Sequence, residues 1–325
     1  MILTTQAAPE TNYPAARQPT LYFIGVTTGK SSIMTVFPRW AAHLGLQNAL
    51  IHGVDCRWHD QPAVYRRIVE HIKQDPLSLG ALVTTHKIDL LAACRDLFDD
   101  LDPYAQLLGE VSCLSKRSGR LIGHAKDPIT SGLALEAFLP EGHWQRTGGE
   151  VLALGAGGSS IAVTCYLMQG RPSSDRPTRI LVTNRSQPRL KEIAAIHRKL
   201  GATLPVDYHH TPTSQDNDRL VNALPPHSLV MNATGLGKDA PGSPLSDAAV
   251  FPEQGFAWDF NYRGDLLFLE QAGRQKEARH LSLEDGWVYF LHGWTQVIAE
   301  VFHISLPTSG PEFAELARIA AAERR

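Results

Sequence analysis

The sequence predicts an α/β protein of two domains, each built round a mostly parallel sheet. Short apolar runs alternate with amphipathic stretches along the 325 residues, the pattern of strand, crossover helix and parallel strand. At about 100–200 residues per domain, the length suits two. The third observation is local. The apolar run 151–154 meets glycines at 155, 157 and 158, and a helical pattern opens at Ile161. Strand, tight glycine turn and helix N-terminus together make an anion cradle. The turn lets the backbone approach a pyrophosphate, and the first N–H groups of the helix point at it.

In chain order, residues 21–26 read as a first strand, running into a polar turn at 27–32 and a helix with Met34, Phe37, Trp40 and Ala41 at helical spacing. A strand at 48–54 and a helix at 62–73 follow, the helix with Val64, Ile68, Val69 and Ile72 on one face. A third strand, 79–84, ends at Thr85, His86 and Lys87 before a short helix, 88–94. Residues 110–114 and 120–123 flank a hairpin turn at 116–119, and a helix starts near 129. Polar residues 141–148, with Gly142 and Gly148, read as a hinge.

The second domain continues with strand 150–154, helix 158–169, strand 179–183, helix 187–200, a strand near 203–207 and helix 216–223. Strands 228–232 and 256–259 come next, then helices at 265–273 and 286–302. Pro307, Gly310 and Pro311 break the chain before a last amphipathic helix, 311–323. In a dinucleotide fold the strand end after 183 meets the adenosine ribose, where an acidic residue would bond the 2′-hydroxyl of NAD. Here Asn184, Arg185 and Ser186 stand there, with Arg189 and Lys191 close behind, which suits the 2′-phosphate of NADP.

Composition narrows the function. Net charge is −2, which favours neither nucleic acid nor an anionic membrane surface, and no apolar run is long enough to span a bilayer. Cys56, Cys94, Cys113 and Cys165 are scattered without a C-x-x-C pair, as buried thiols in a reducing, cytoplasmic setting would be. His209 and His210 form the one adjacent histidine pair, read as surface residues, and no metal site is expected. The first 19 residues lack an apolar segment and read as a mobile tail.

Taken alone, Lys87 reads as a solvated lysine at a helix start, and Asp127 as a cap before Pro128. A resemblance reverses both readings. Gly155-Ala156-Gly157-Gly158-Ser159-Ser160 lies on G-A-G-G-A-A/S of the shikimate dehydrogenase family, Asn184-Arg185-Ser186 on its N-R-T/S, and Asn232-Ala233-Thr234 on its N-A-T. The G-A-V-N-T-L segment appears as residues 109–114, G-x-L-x-G-x-N-T-D as 119–127, and D-x-x-Y as Asp259 to Tyr262. The chain resembles that family over residues 20–305. The resemblance implies a substrate domain at 20–140, an NADP-binding Rossmann domain at 141–280, and C-terminal helices at 281–325 returning to the substrate domain. It makes Lys87 and Asp127 the catalytic pair. It places the cofactor on Gly155, Ala156, Gly157, Gly158, Ser159, Asn184, Arg185, Ser186, Asn232, Thr234, Gly286 and Tyr289. It places a small cyclic hydroxy or keto acid on Ser31, Lys30, Thr84, Ser112, Tyr262 and either His292 or Gln296.

The substrate side departs from the family. Ile33 stands where H-S-x-S-P has its second serine, Ser112 and Ala125 replace asparagines, and Gly293 replaces the glutamine of G-x-x-M-L-x-x-Q. A ligand group left without its partner costs binding. The expected function is therefore an NADP-dependent oxidoreductase of shikimate/quinate metabolism and aromatic amino acid biosynthesis, a monomer or homodimer, with shikimate itself a poor substrate. The alternative is an idle or sensor-type NADP-binding paralogue. Retention of both Lys87 and Asp127 argues against it, since an idle site has no reason to keep a charged pair.

Overall fold

The computed structural model describes residues 13–324 apart from 47, 202, 238 and 239. The chain divides into two compact units, the first running to Ala125 and taking in Glu300–His303, the second comprising Lys126–Ala299 and Ile304–Arg325.

The first unit contains β1 (Thr20–Gly25), a 3-10 turn at Thr28–Lys30, α1 (Ile33–His43), β2 (Leu50–Asp55), α2 (Pro62–Gln74), β3 (Ser78–Val83), α3 (Lys87–Cys94), β4 (Asp100–Leu101), α4 (Pro103–Leu108), β5 (Cys113–Arg117) and β6 (Arg120–His124). Its sheet runs β2-β1-β3-β5-β6-β4. β1 is parallel to both neighbours and buried along its length, which is why it reads as an uninterrupted apolar run. β5 and β6 form the expected hairpin, antiparallel to each other, and β5 is also antiparallel to β3. On α2, Tyr65, Ile68, Val69 and Ile72 face the core at helical spacing, with Val64 at its margin. Of the amino-terminal 19 residues, 1–12 lie outside the described residues. Over 13–19 the chain lies against this unit: Tyr13 is 5.6 Å from the His71 ring, and the Ala16 N–H donates to Asp75.

The second unit contains α5 (Asp127–Phe138), α6 (His143–Thr147), β7 (Val151–Leu154), α7 (Gly158–Cys165) running into a π turn at Tyr166–Gly170, β8 (Ile180–Asn184), α8 (Gln187–Leu200), β9 (Val206–His210), α9 (Ser214–Asn222), β10 (Leu229–Asn232), β11 (Phe256–Asp259), α10 (Leu267–Gly273), α11 (Lys276–Arg279), β12 (Ser282–Glu284), α12 (Trp287–Phe302) and α13 (Gly310–Ala321). Its sheet is β12-β11-β10-β7-β8-β9, and every pairing is parallel. Counted from β7, that is the doubly wound order 3-2-1-4-5-6, with the reversal of strand order between β7 and β10.

Two segments differ from the sequence reading. The stretch read as a hinge, 141–148, holds α6, because Asp175 accepts the backbone N–H groups of Gly142, Trp144 and Gln145 and the Trp144 ring is buried. The division falls at 125/126 and not at 140/141. Ala134 and Leu135 of α5, and Leu139 just past its end, pack into the same core as β7 and β8, so α5 belongs to the second unit. At the other end, only Glu300–His303 is counted with the first unit, where Phe302 packs 6.1 Å from Phe37. α13 stays with the second.

Candidate functional site

The phosphate cradle is built at the carboxyl end of β7. Gly155 has φ +106°, and a Cβ there would lie 2.8 Å from the Ala233 carbonyl oxygen at the end of β10, so only glycine fits the turn. Ser160, at the third glycine position, is fully buried and donates its hydroxyl to the Gly155 carbonyl at 2.6 Å, fastening α7 to the turn. A Cβ at Gly157 or Gly158 would meet nothing within 4 Å. The space before the first N–H groups of α7 is thus open, and the donor set fits a pyrophosphate. Ser159 is half-buried beside it. Ala156 packs its methyl into the core, which leaves only its backbone to a ligand.

The next strand end holds the ribose candidates. The Asn184 side chain accepts the Ser186 N–H at 2.9 Å, closing a tight turn that presents Arg185 outward. His210, exposed as the sequence reading has it, bonds through Nε2 to the Arg185 carbonyl at 3.0 Å. Arg189 is engaged with Glu192 at 2.8 Å, and Lys191 is exposed on α8.

At the ends of β10 and β11 three polar side chains support one loop. Asn232 accepts the Thr234 N–H and hydroxyl and donates to Asp259 Oδ2 at 3.0 Å, while Asn261 Nδ2 donates to the Leu236 carbonyl. Asp259 is closed to solvent, and burial pushes its carboxyl up to about 6 against donors from Asn261 and Asn232 that favour the charged form. Burial, with Asp285 adjacent, also raises the Glu284 carboxyl. Sequence reasoning placed Asp259 in a motif without giving it this anchoring role. Thr234 is exposed on the loop.

On α12 the candidates separate. A Cβ on Gly286 would come 2.1 Å from the Phe260 carbonyl oxygen, so glycine there is required by packing, which explains it without a cofactor. Tyr289 is half-buried, edge-on to Phe260 at 5.2 Å. Tyr262 packs against Trp287 and Phe290. The His292 ring is 1% exposed and lies flat on Phe313 of α13, centroids 4.5 Å apart, and among the described residues neither ring nitrogen has a hydrogen-bond partner. Burial holds it neutral, with its pKa pushed down to about 4. Gln296 is half-buried, and a Cβ on Gly293 would meet nothing within 4 Å.

In the first unit Lys87 is the first residue of α3 and half-buried. The preceding His86 is buried, bonded through Nδ1 to the Tyr65 hydroxyl at 3.0 Å, and lowered in pKa by burial. Thr84 donates N–H and hydroxyl to the Ile24 carbonyl, at 3.0 and 3.3 Å. Ser112 is buried and continues the β5–β6 ladder through its N–H to the His124 carbonyl. Lys30 is exposed at the end of the 3-10 turn and Ser31 half-buried after it. Ile33 and Ala125 are fully buried. Asp127 opens α5, in the second unit, and is half-buried.

Among the described residues no His, Cys, Asp or Glu group is arranged to hold a metal ion, and no helix is long and apolar enough to cross a membrane. All four cysteines are buried and none is in a disulfide.

A parallel sheet in this order, with a glycine turn opening at its switch point, defines a dinucleotide-binding α/β protein. The comparisons narrow the class. No family model matches the chain. A shikimate dehydrogenase (NADP(+)) of Lactococcus lactis subsp. lactis is 31% identical over 212 residues, 65% of this chain and 69% of the relative. One of Methylocella silvestris is 30% identical over 213 residues, 65% of this chain and 68% of the relative. The crystal structure of the Thermus thermophilus shikimate 5-dehydrogenase in complex with NADP(H) and shikimate is similar in fold, with TM-score 0.67 and 23% identity over 93% of this chain and 99% of that one. The chain belongs to the shikimate dehydrogenase family.

Proposed function

We propose that the chain is an NADP-dependent oxidoreductase that moves hydride reversibly between NADP and a ring hydroxyl of a small cyclic acid of the shikimate or quinate kind. The observation that carries the reading is the open glycine cradle before α7 with Arg185, and no acidic residue, at the ribose strand end. The relatives at 30% and 31% identity are both named as NADP(+) enzymes, which does not favour an idle paralogue. When bound, NADP supplies the hydride acceptor. The N–H groups of α7 and the turn would hold its pyrophosphate and Arg185 its 2′-phosphate, and Thr234, on the loop anchored by Asn232, is a further candidate contact.

Lys87 and Asp127 serve as the proton-handling pair by their match to the family's motifs. As hydride leaves the carbinol carbon, the hydroxyl proton passes to this pair, and the C–O bond becomes a carbonyl. Lys30, Ser31, Thr84, Ser112, Tyr262 and either His292 or Gln296 are the substrate candidates. The enzyme works as a monomer or homodimer in a reducing cytoplasm, a setting that four buried cysteines outside any disulfide suit. The test is NADPH oxidation against a panel of cyclic keto acids, with the Lys87→Ala variant as control. Absence of turnover across the panel, by folded protein that binds NADPH, would overturn the reading.

A further inference from the structure

We infer that His210 is a specificity residue for the 2′-phosphate, acting as a positioning residue through the main chain of Arg185. This rests on the NADP reading above. The parallel pairing of β8 with β9 sets His210 opposite Asn184, and the ladder runs one residue further through the Thr211 N–H to the Asn184 carbonyl. The last residue of β9 is therefore brought to the carboxyl edge of the sheet, where ligands of this fold bind. From there its Nε2 reaches the Arg185 carbonyl at 3.0 Å. A carbonyl only accepts, so Nε2 carries the proton and donates.

The consequence is a turn tied at both ends. Ser186 is held by the Asn184 side chain and Arg185 by His210. Among the described residues the Arg185 guanidinium has no ion-pair partner, while Arg189 nearby is occupied by Glu192. Arg185 is the cation that stands at the strand end itself, with Lys191 further off on α8, and its backbone is fixed before the ligand arrives. A guanidinium starting from a fixed backbone loses less freedom on forming a bidentate phosphate contact, so the tether converts into affinity for the 2′-phosphate alone. The rest of the nucleotide is held elsewhere and does not feel it.

The experiment compares adenosine 2′,5′-bisphosphate with adenosine 5′-monophosphate by calorimetry on the full chain. The two ligands differ only in the 2′-phosphate. The wild type is expected to prefer the bisphosphate. His210→Ala should reduce that preference about two- to tenfold, the worth of one hydrogen bond, and leave the monophosphate unchanged. His210→Gln, whose amide can still donate to the Arg185 carbonyl, should retain most of the preference. A His210→Ala protein with undiminished preference, or with both ligands weakened alike, overturns the inference. Equal affinity of the wild type for the two ligands overturns the NADP reading itself, and this inference with it.

Discussion

Asn232 donates its side-chain amide to Oδ2 of Asp259 across 3.0 Å, joining the ends of β10 and β11. Both side chains are closed to solvent, and the same Asn232 holds the loop that carries Thr234. A carboxyl so placed has a direction of titration that can be measured. Its pKa in the fold, about 6, lies above the ordinary 3.8. The fold therefore favours the protonated form. The stability this contributes is complete below the ordinary value and is lost as pH rises through about 6.

Asp259→Asn, uncharged throughout, should lack this dependence. Its stability is expected to rise relative to the wild type as pH climbs from about 4 to 7, by at most about 1.4 kcal/mol per pH unit, and its melting temperature with it. Any cost of facing two amides is a constant offset and leaves the slope untouched. Parallel melting curves across that range would show that Asp259 titrates normally.

Gly155→Ala tests the cradle. Ala would have to adopt φ +106° and place Cβ 2.8 Å from the Ala233 carbonyl oxygen. The substitution should cost more than about 1 kcal/mol of stability, and the turn should shift to relieve the clash. NADPH affinity should fall in the folded fraction. Unchanged affinity, measured by fluorescence titration, would mean that the turn is not a phosphate cradle.

How much of this was legible in the sequence follows from where the physics is local. The cradle was, since strand, glycines and helix are contiguous and Ser160 bonds a carbonyl within the same turn, although the Ala233 carbonyl that requires glycine at 155 lies far along the chain. So was the hairpin of β5 and β6. α6 was not: its N–H groups are satisfied by Asp175, some 30 residues on, so the segment alone looks like a polar linker. β4 and β12, of two and three residues, are too short to show alternation. His210 is exposed, as the sequence implies, but its bond to the Arg185 carbonyl just past the neighbouring strand could not be read there, because a carbonyl leaves no trace in residue types. Ile33, which the sequence places where the family resemblance implies a serine, is fully buried at the start of α1, a burial its apolar side chain alone does not announce.

Arg185→Ala should erase most of the preference for NADPH over NADH, a preference expected at roughly tenfold or more from one charge-assisted contact. NADH affinity should stay nearly constant, because the residue is exposed and its guanidinium has no ion-pair partner among the described residues. Titrations in which both cofactors weaken together would show a structural role instead.

Lys87→Ala and Asp127→Asn should each lower turnover by about 10²–10⁴-fold, the usual weight of general acid–base catalysis. Both side chains are half-buried and begin helices, so folding should survive. Circular dichroism and melting temperature check that, and steady-state rates check the rest. Near-normal turnover of either variant on the accepted substrate would remove that residue from proton transfer.

Shikimate should be a weak substrate compared with its use by ordinary family members. Ala125, at a position where the family resemblance implies an amide, is fully buried among apolar side chains and spends its N–H on Asp102. Ile33 lies in the core. Gly293 leaves open the space that the resemblance assigns to a glutamine. Each missing ligand bond is worth roughly 1–3 kcal/mol, and two already cost about 30-fold or more. Nearby groups are of a different kind: His292 is neutral, buried and held flat by Phe313, and Gln296 stands a turn further along α12. The restoring variant is Gly293→Gln. The helix should accept it, since glutamine favours helix over glycine by about 0.5–1 kcal/mol and the built Cβ meets nothing. Its specificity constant for shikimate should exceed that of the wild type. Steady-state kinetics with shikimate and NADP decides the matter. A wild-type kcat/KM within the roughly 10⁴–10⁸ M⁻¹s⁻¹ of enzymes on their own substrates would show that Lys30 and Gln296 rebuild the lost contacts and that the pocket is an ordinary one.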